Sequence, residues 1–219
     1  MAYTREQIEA AVKAKGYAWF EGAKDYDVNI VGVRNSSTGQ TVTNVFDDVM
    51  TVSFKVGGEW HYKEWTNTTD PGKKGVMEYH NAKGVARLVE GQYRGSHAIG
   101  LHQGKYEALK QAKVVKVFRD ADRNMTYSED KIDEGIFGIN IHKAGTDSTY
   151  VENWSEGCQV FKRIKDFEEF MAICRKARDI HGNSFTYPLL VFFFSFLEIL
   201  LVSNLPFPFL YLIYTSLRI

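Results

Sequence analysis

The sequence predicts a mainly β domain of the α+β class, and three observations carry that prediction. Short runs rich in β-branched and aromatic residues are separated by glycine-rich turns through the middle of the chain. Helical periodicity is confined to the two ends of that region. The length, 219 residues, suits one domain, or one plus a tail, and is enough for a substantial core.

A helix is expected first. Thr4-Arg5-Glu6-Gln7 is a capping box, in which side chains at either end of the first turn satisfy free backbone N–H groups. The helix should run through Lys15 and stop at Gly16. Tyr17-Ala18-Trp19-Phe20 and Asn29 to Val33 are apolar runs broken by turns, and Ser36 to Gly39 is a loop. Val49 to Val56 reads as a strand, Gly57-Gly58 as a tight hairpin turn and Glu59 to Thr66 as the return strand. Trp60, Tyr62 and Trp65 suit a half-buried sheet. Arg87-Leu88-Val89 and Val114 to Phe118 are further strand candidates. Phe137, Ile139 and Ile141 alternate with Gly138, Asn140 and His142, which predicts a strand with His142 at its end, facing away from the apolar set. The stripe Phe167, Phe170, Met171, Cys174 and Ala177 predicts an amphipathic helix closed by Gly182, with Cys174 in the core.

Lysine plus arginine equals aspartate plus glutamate at 27 each, so no basic field argues for nucleic acid. Two cysteines are too few for a disulfide framework. Ser96 to His102 offers His97 and His102, but their spacing on an extended segment puts them on opposite faces. A supporting place at the edge of a cleft is expected of one or other, and no metal site. Asp120-Ala121-Asp122-Arg123-Asn124 begins like a calcium loop, yet Met125 stands where glycine is needed and Lys131 where glutamate is needed, so an acidic turn is expected. Asp47-Asp48 reads as a solvated turn.

The chemistry is expected around Cys158, in Asn153-Trp154-Ser155-Glu156-Gly157-Cys158, with His142 upstream. A cysteine becomes a useful nucleophile when a base takes its proton. The polar segment Lys143 to Thr149 can bring the chain back so that Gly157-Cys158 lies beside His142. Gly157 allows close backbone approach, and consecutive N–H groups at Gly157 and Cys158 can hold an oxyanion. Ser155 can orient the imidazole through its hydroxyl or its carbonyl. The alternative is a small buried cysteine and an unrelated histidine.

The pattern His142, twelve residues, then Ser155-Glu156-Gly157-Cys158 resembles the signature of the YkuD-type L,D-transpeptidase catalytic domain. That family carries a histidine, then Ser/Thr-His-Gly-Cys followed by a polar or basic residue. Glu156 replaces the second histidine, and Gln159-Val160 stands where the family often has arginine or asparagine. Thr68-Thr69-Asp70-Pro71-Gly72 falls where the family has a Thr-Pro-x-Gly turn. The run Asn153 to Phe161 is similar to a divergent phage and Bacteroidetes branch with Asn-Trp-Ser-x-Gly-Cys-Gln-Val-Phe cores.

The resemblance implies an L,D-transpeptidase-like β-sandwich with an N-terminal helix and a helix after the cysteine. It also implies acyl transfer on a peptidoglycan stem peptide, ending in cross-linking or cleavage. Cys158 would be the nucleophile and His142 the base, with Ser155 and Gly157 completing the catalytic set. Trp154, Gln159, Asn140 and His102 would meet the substrate, with no cofactor and no metal. A non-catalytic wall-binding or virion module with the same fold is the alternative. The expected organisation is a helix and lead-in over 1–44, a catalytic domain over 45–190 and a hydrophobic tail over 191–219. The start of the chain reads as no secretory signal, which points to phage delivery to the cell wall. Between Pro188 and Ser216 the only charge is Glu198, so the tail reads as a membrane contact or as a non-native extension.

Overall fold

The computed structural model describes residues 3–22, 24–35, 40–78, 80–127 and 131–191. Helix α1 spans Arg5–Ala14, and the capping box at its start is made in full. Gln7 N–H donates to Thr4 Oγ1 at 3.2 Å, and Thr4 N–H to Gln7 Oε1 at 2.9 Å. Strands β1 (Asn29–Arg34), β2 (Asp48–Val56) and β3 (Glu59–Thr68) follow. The β2–β3 turn puts both of its glycines at positive φ, Gly57 at 59° and Gly58 at 87°. Two consecutive positive values suit the right-handed twist of a two-residue hairpin. A short helix α2 (Lys73–Glu78) precedes β4 (Val85–Leu88), β5 (Gly91–His102), β6 (Tyr106–Gln111), β7 (Val115–Asp120) and β8 (Ile132–Gly135). Then come β9 (Ile141–Lys143), β10 (Gln159–Phe161), helix α3 (Ile164–His181) and β11 (Phe185–Val191).

The mainly β class with few helices stands. Where two facing open sheets were expected, eight strands close into a barrel in the order β1-β11-β5-β6-β9-β10-β3-β2, and β4-β7-β8 form a separate three-stranded sheet. Parallel pairing of β1 with β11, Gly32 opposite Leu189, completes the closure. Residues 29–34, expected in a lead-in segment, are therefore a barrel strand. The closure is narrow on one side, where β3 meets β10 only at Asn67 and Thr68 and β6 meets β9 only at Leu109.

Alternation decides which side chains fill the barrel. Leu109, Ile141, Phe161, Tyr187 and Leu189 share one buried cluster with Phe167, Phe170, Met171 and Cys174 of α3. Ile8 and Val12 of α1 pack on Val31, Val33 and Leu190. Cys174 is fully buried, and neither cysteine is in a disulfide.

The strand expected over 137–142 is shorter. Only Ile141–Lys143 is strand, because Gly138 turns to φ 78° and the segment before it leaves the ladder. The Thr68 to Gly72 turn is held by a buried polar cluster. Asp70 Oδ1 meets Arg34 Nε at 2.9 Å and Arg87 Nε at 2.8 Å, and Asp48 Oδ2 accepts from Thr69 N–H at 2.7 Å. Asp48 is thus buried rather than in a solvated turn. Residues 192–219, which carry the expected membrane contact, lie outside the described residues. Among the described residues no helix is long and apolar enough to cross a membrane.

Candidate functional site

Strand β10 starts immediately after Cys158 and runs parallel to β9, with Gln159 opposite Ile141 and Val160 opposite His142. Side chains alternate along a strand, so Cys158 and Val160 share the face of Asn140 and His142, whereas Gln159 points the other way. The thiol and the imidazole thus come to one face of adjacent strands. Among the described residues no hydrogen bond joins them. Cys158 Sγ–H donates to the Gly138 carbonyl at 3.2 Å.

His142 is buried, and its Nδ1–H donates to the Lys143 carbonyl at 2.9 Å. That bond fixes the tautomer and leaves Nε2 as the free base. Burial, helped by the neighbouring His102, lowers the imidazole to about 4, so it is neutral at physiological pH. His102 stacks on it with ring centroids 4.2 Å apart and planes at 22°. His102 Nδ1 accepts from Asn140 Nδ2 at 3.2 Å, and Asn140 Oδ1 accepts from Gln111 N–H at 2.9 Å.

Cys158 is partly exposed, yet its sulfur lies against backbone. Burial pushes the thiol up to about 11; the Asn140 N–H opposes that rise and the Glu156 charge adds to it. The resting state is therefore a neutral thiol beside a neutral imidazole rather than a thiolate–imidazolium pair. The Tyr106 ring stands near His102, at 5.4 Å between centroids, and the charge of a Cys158 thiolate would reach the Tyr106 hydroxyl. Nothing in the sequence patterning marks Tyr106 or the Lys143 carbonyl for this place.

Three expectations need correction. Ser155 does not orient the imidazole, because its hydroxyl donates to the Cys158 carbonyl at 2.8 Å and its carbonyl accepts from Gly72 N–H at 3.0 Å. It locks the cysteine loop instead. Gly157 N–H is engaged by Ser155 Oγ at 3.1 Å, so of the two expected oxyanion donors only Cys158 N–H has no partner among the described residues. Gln159, expected at the substrate, points into the barrel instead. It is fully buried, accepting from Tyr187 Oη at 2.9 Å and donating to the Gly157 carbonyl at 3.2 Å.

Trp154, 43% exposed, stands over the loop at Gly145 and is available to a ligand. Glu156 is paired with the exposed His80, Oε1 to Nδ1 2.8 Å. The Asp122 and Asn124 side chains cap the backbone two residues on, closing the acidic turn on itself. Among the described residues no cluster of three or more histidine, cysteine and acidic side chains is placed to hold a metal. Two cavities, of about 690 and 330 Å³, lie elsewhere, against β7–β8 and against the C-terminal end of α3, and neither is lined by Cys158 or His142.

Compared with family models, with curated proteins and with solved structures, the chain finds no match.

Proposed function

We propose that the protein performs cysteine-dependent acyl transfer on peptidoglycan stem peptides, on an L,D-transpeptidase-like scaffold. The observation that carries this reading is the shared side of Cys158, the residue just before β10, and His142 on the adjacent parallel β9, with His142 Nδ1 tied to a carbonyl and Nε2 left free. On substrate binding, the Cys158 proton passes to His142 Nε2 and the sulfur attacks the amide carbon. Cys158 N–H receives the oxyanion. The intermediate collapses to a thioester as the leaving amine takes the proton from His142. An amine or water then resolves the thioester, giving a cross-link or a cleaved peptide. Trp154 offers an exposed aromatic face to the stem peptide. A cell wall reached through phage delivery is the setting that the motif's resemblance favours.

The test is digestion of purified muropeptides followed by mass spectrometry. Wild type should give new cross-linked or shortened species, and Cys158→Ala should give none while keeping its melting temperature within a few degrees. Turnover by Cys158→Ala would remove the nucleophile from the proposal.

A second reading, a wall-binding module without chemistry, is favoured by one observation: the thiol donates to Gly138 and not to His142. Wild-type protein that sediments with intact sacculi yet leaves every muropeptide unchanged would support it.

A further inference from the structure

We propose that His97, acting with Gln111, is a positioning residue for the nucleophile: the two side chains hold segment 137–140 so that its backbone cradles the Cys158 sulfur. The inference rests on Cys158 being the nucleophile, and it concerns two buried side chains.

His97 and Gln111 face each other directly across the β5–β6 pair. Both reach the same stretch of chain. His97 Nε2–H donates to the Ile139 carbonyl at 2.9 Å. Gln111 Oε1 accepts from Phe137 N–H at 3.0 Å and from Ile139 N–H at 2.9 Å. The Gln111 amide also donates to the Lys113 and Gly135 carbonyls, both at 2.9 Å. Ile139 thus has its N–H and its C=O satisfied by side chains, at the place where a neighbouring strand would otherwise supply a ladder. That substitution lets the segment turn out of the sheet at Gly138 and return to it at Ile141.

The two residues flanking Ile139 are those that meet the thiol. The Gly138 carbonyl accepts from Cys158 Sγ–H, and the Asn140 N–H faces the sulfur and favours its ionised form. A regular strand would send the Gly138 and Asn140 backbone groups into ladder bonds and away from the cysteine. His97 itself is fully buried, its Nδ1 at 2.8 Å from Ser96 Oγ and its ring edge-on to Tyr187. A buried polar ring costs stability unless both nitrogens are satisfied. An apolar side chain would fill the space as well, but it could not hold Ile139.

The experiment follows Cys158 alkylation by iodoacetamide against pH, by intact-mass spectrometry on the full chain, with buried Cys174 as the internal unreactive control. This readout needs no substrate, so it stands even if the acyl-transfer reading fails. His97→Phe keeps the ring and removes the donor. Loss of the Asn140 N–H from the sulfur should slow alkylation at pH 9 about tenfold and move the profile to higher pH. His97→Gln, which can still donate to Ile139, should restore most of the rate. Ser96→Ala, a gentle change, should slow it about two- to threefold and covers the case in which His97→Phe does not fold. Folded His97→Phe with a wild-type profile overturns the proposal, as does an unchanged profile in Ser96→Ala if His97→Phe fails to fold.

Discussion

The His102 ring lies on the His142 ring, 4.2 Å between centroids, and the pair closes a relay that begins at a backbone amide. Gln111 N–H fixes the Asn140 side chain, Asn140 fixes His102, and His102 covers His142. An ionised His142 would face a second ring in a buried place, so burial first and His102 second hold it neutral.

Replacing His102 by phenylalanine should preserve the stack and remove its charge. His142 should then titrate above its present value of about 4, while staying below an ordinary histidine because burial is the larger cause. Proton-detected NMR of the imidazole reports this directly. An unchanged His142 titration would mean that His102 contributes shape alone.

Stability should rise with pH between about 4 and 6.5. Burial lowers both His97 and His142 from 6.5 to about 4, so in that window the unfolded chain binds protons that the folded chain does not. Each displacement is worth about 3 kcal/mol. Asp48 acts in the opposite sense. Burial, then the Asp70 and Asp47 charges, lifts it from 3.8 to about 7, so its folded form keeps a proton that the unfolded chain loses, and its contribution falls as pH rises through that range. Two histidines against one carboxyl leave a net gain. Urea midpoints measured from pH 4.5 to 6.5 should climb, and Asp48→Asn should climb more steeply. A flat or falling series would contradict these environments.

How much of this was legible depends on the range of the interaction. The capping box at Thr4, the Gly57-Gly58 hairpin and the α3 stripe are set by neighbours within a few residues, and the chain shows them plainly. Barrel closure pairs Gly32 with Leu189, and no local pattern encodes a partner that distant. The alternation over 137–142 reads as a strand, but Gln111, far back in the chain, accepts from the Phe137 and Ile139 amides and so keeps them out of the ladder. The orienting partner of His142 is a backbone carbonyl, which any residue supplies and no sequence advertises. The burial of Gln159 is legible in the sequence. Period-two alternation places it opposite Cys158, inside the barrel.

Trp154 and Gln159 should therefore separate cleanly under mutation. Trp154→Ala removes a largely exposed ring and should change stability by no more than about 0.5 kcal/mol while raising KM for muropeptides. Gln159→Leu leaves the buried Tyr187 hydroxyl without its acceptor and should cost about 1–3 kcal/mol. Thermal melts alongside steady-state kinetics check both. A stable Gln159→Leu with raised KM would return Gln159 to the substrate side.

Gly157 gives the sharpest prediction about the cysteine loop. Its φ of 134° is in a region that side-chain-bearing residues rarely adopt, and a Cβ there would sit 1.9 Å from the Ala86 carbonyl oxygen. That oxygen is backbone of β4, and no rotamer change relieves the clash. The same contact ties the loop down, since Ala86 N–H donates to the Glu156 carbonyl at 3.1 Å. Gly157→Ala should therefore carry both dihedral strain and forced separation from β4, about 3 kcal/mol or more together. Gly104→Ala is the matched control, with a φ of 72° and nothing within 4 Å of its Cβ, so it carries the strain alone, about 1–2 kcal/mol. Chemical denaturation of the two variants should show the larger loss at Gly157, accompanied by altered Cys158 alkylation that Gly104→Ala does not share. Equal losses at the two sites would show that the loop moves off β4 freely and that its position over Ala86 contributes little to holding the thiol.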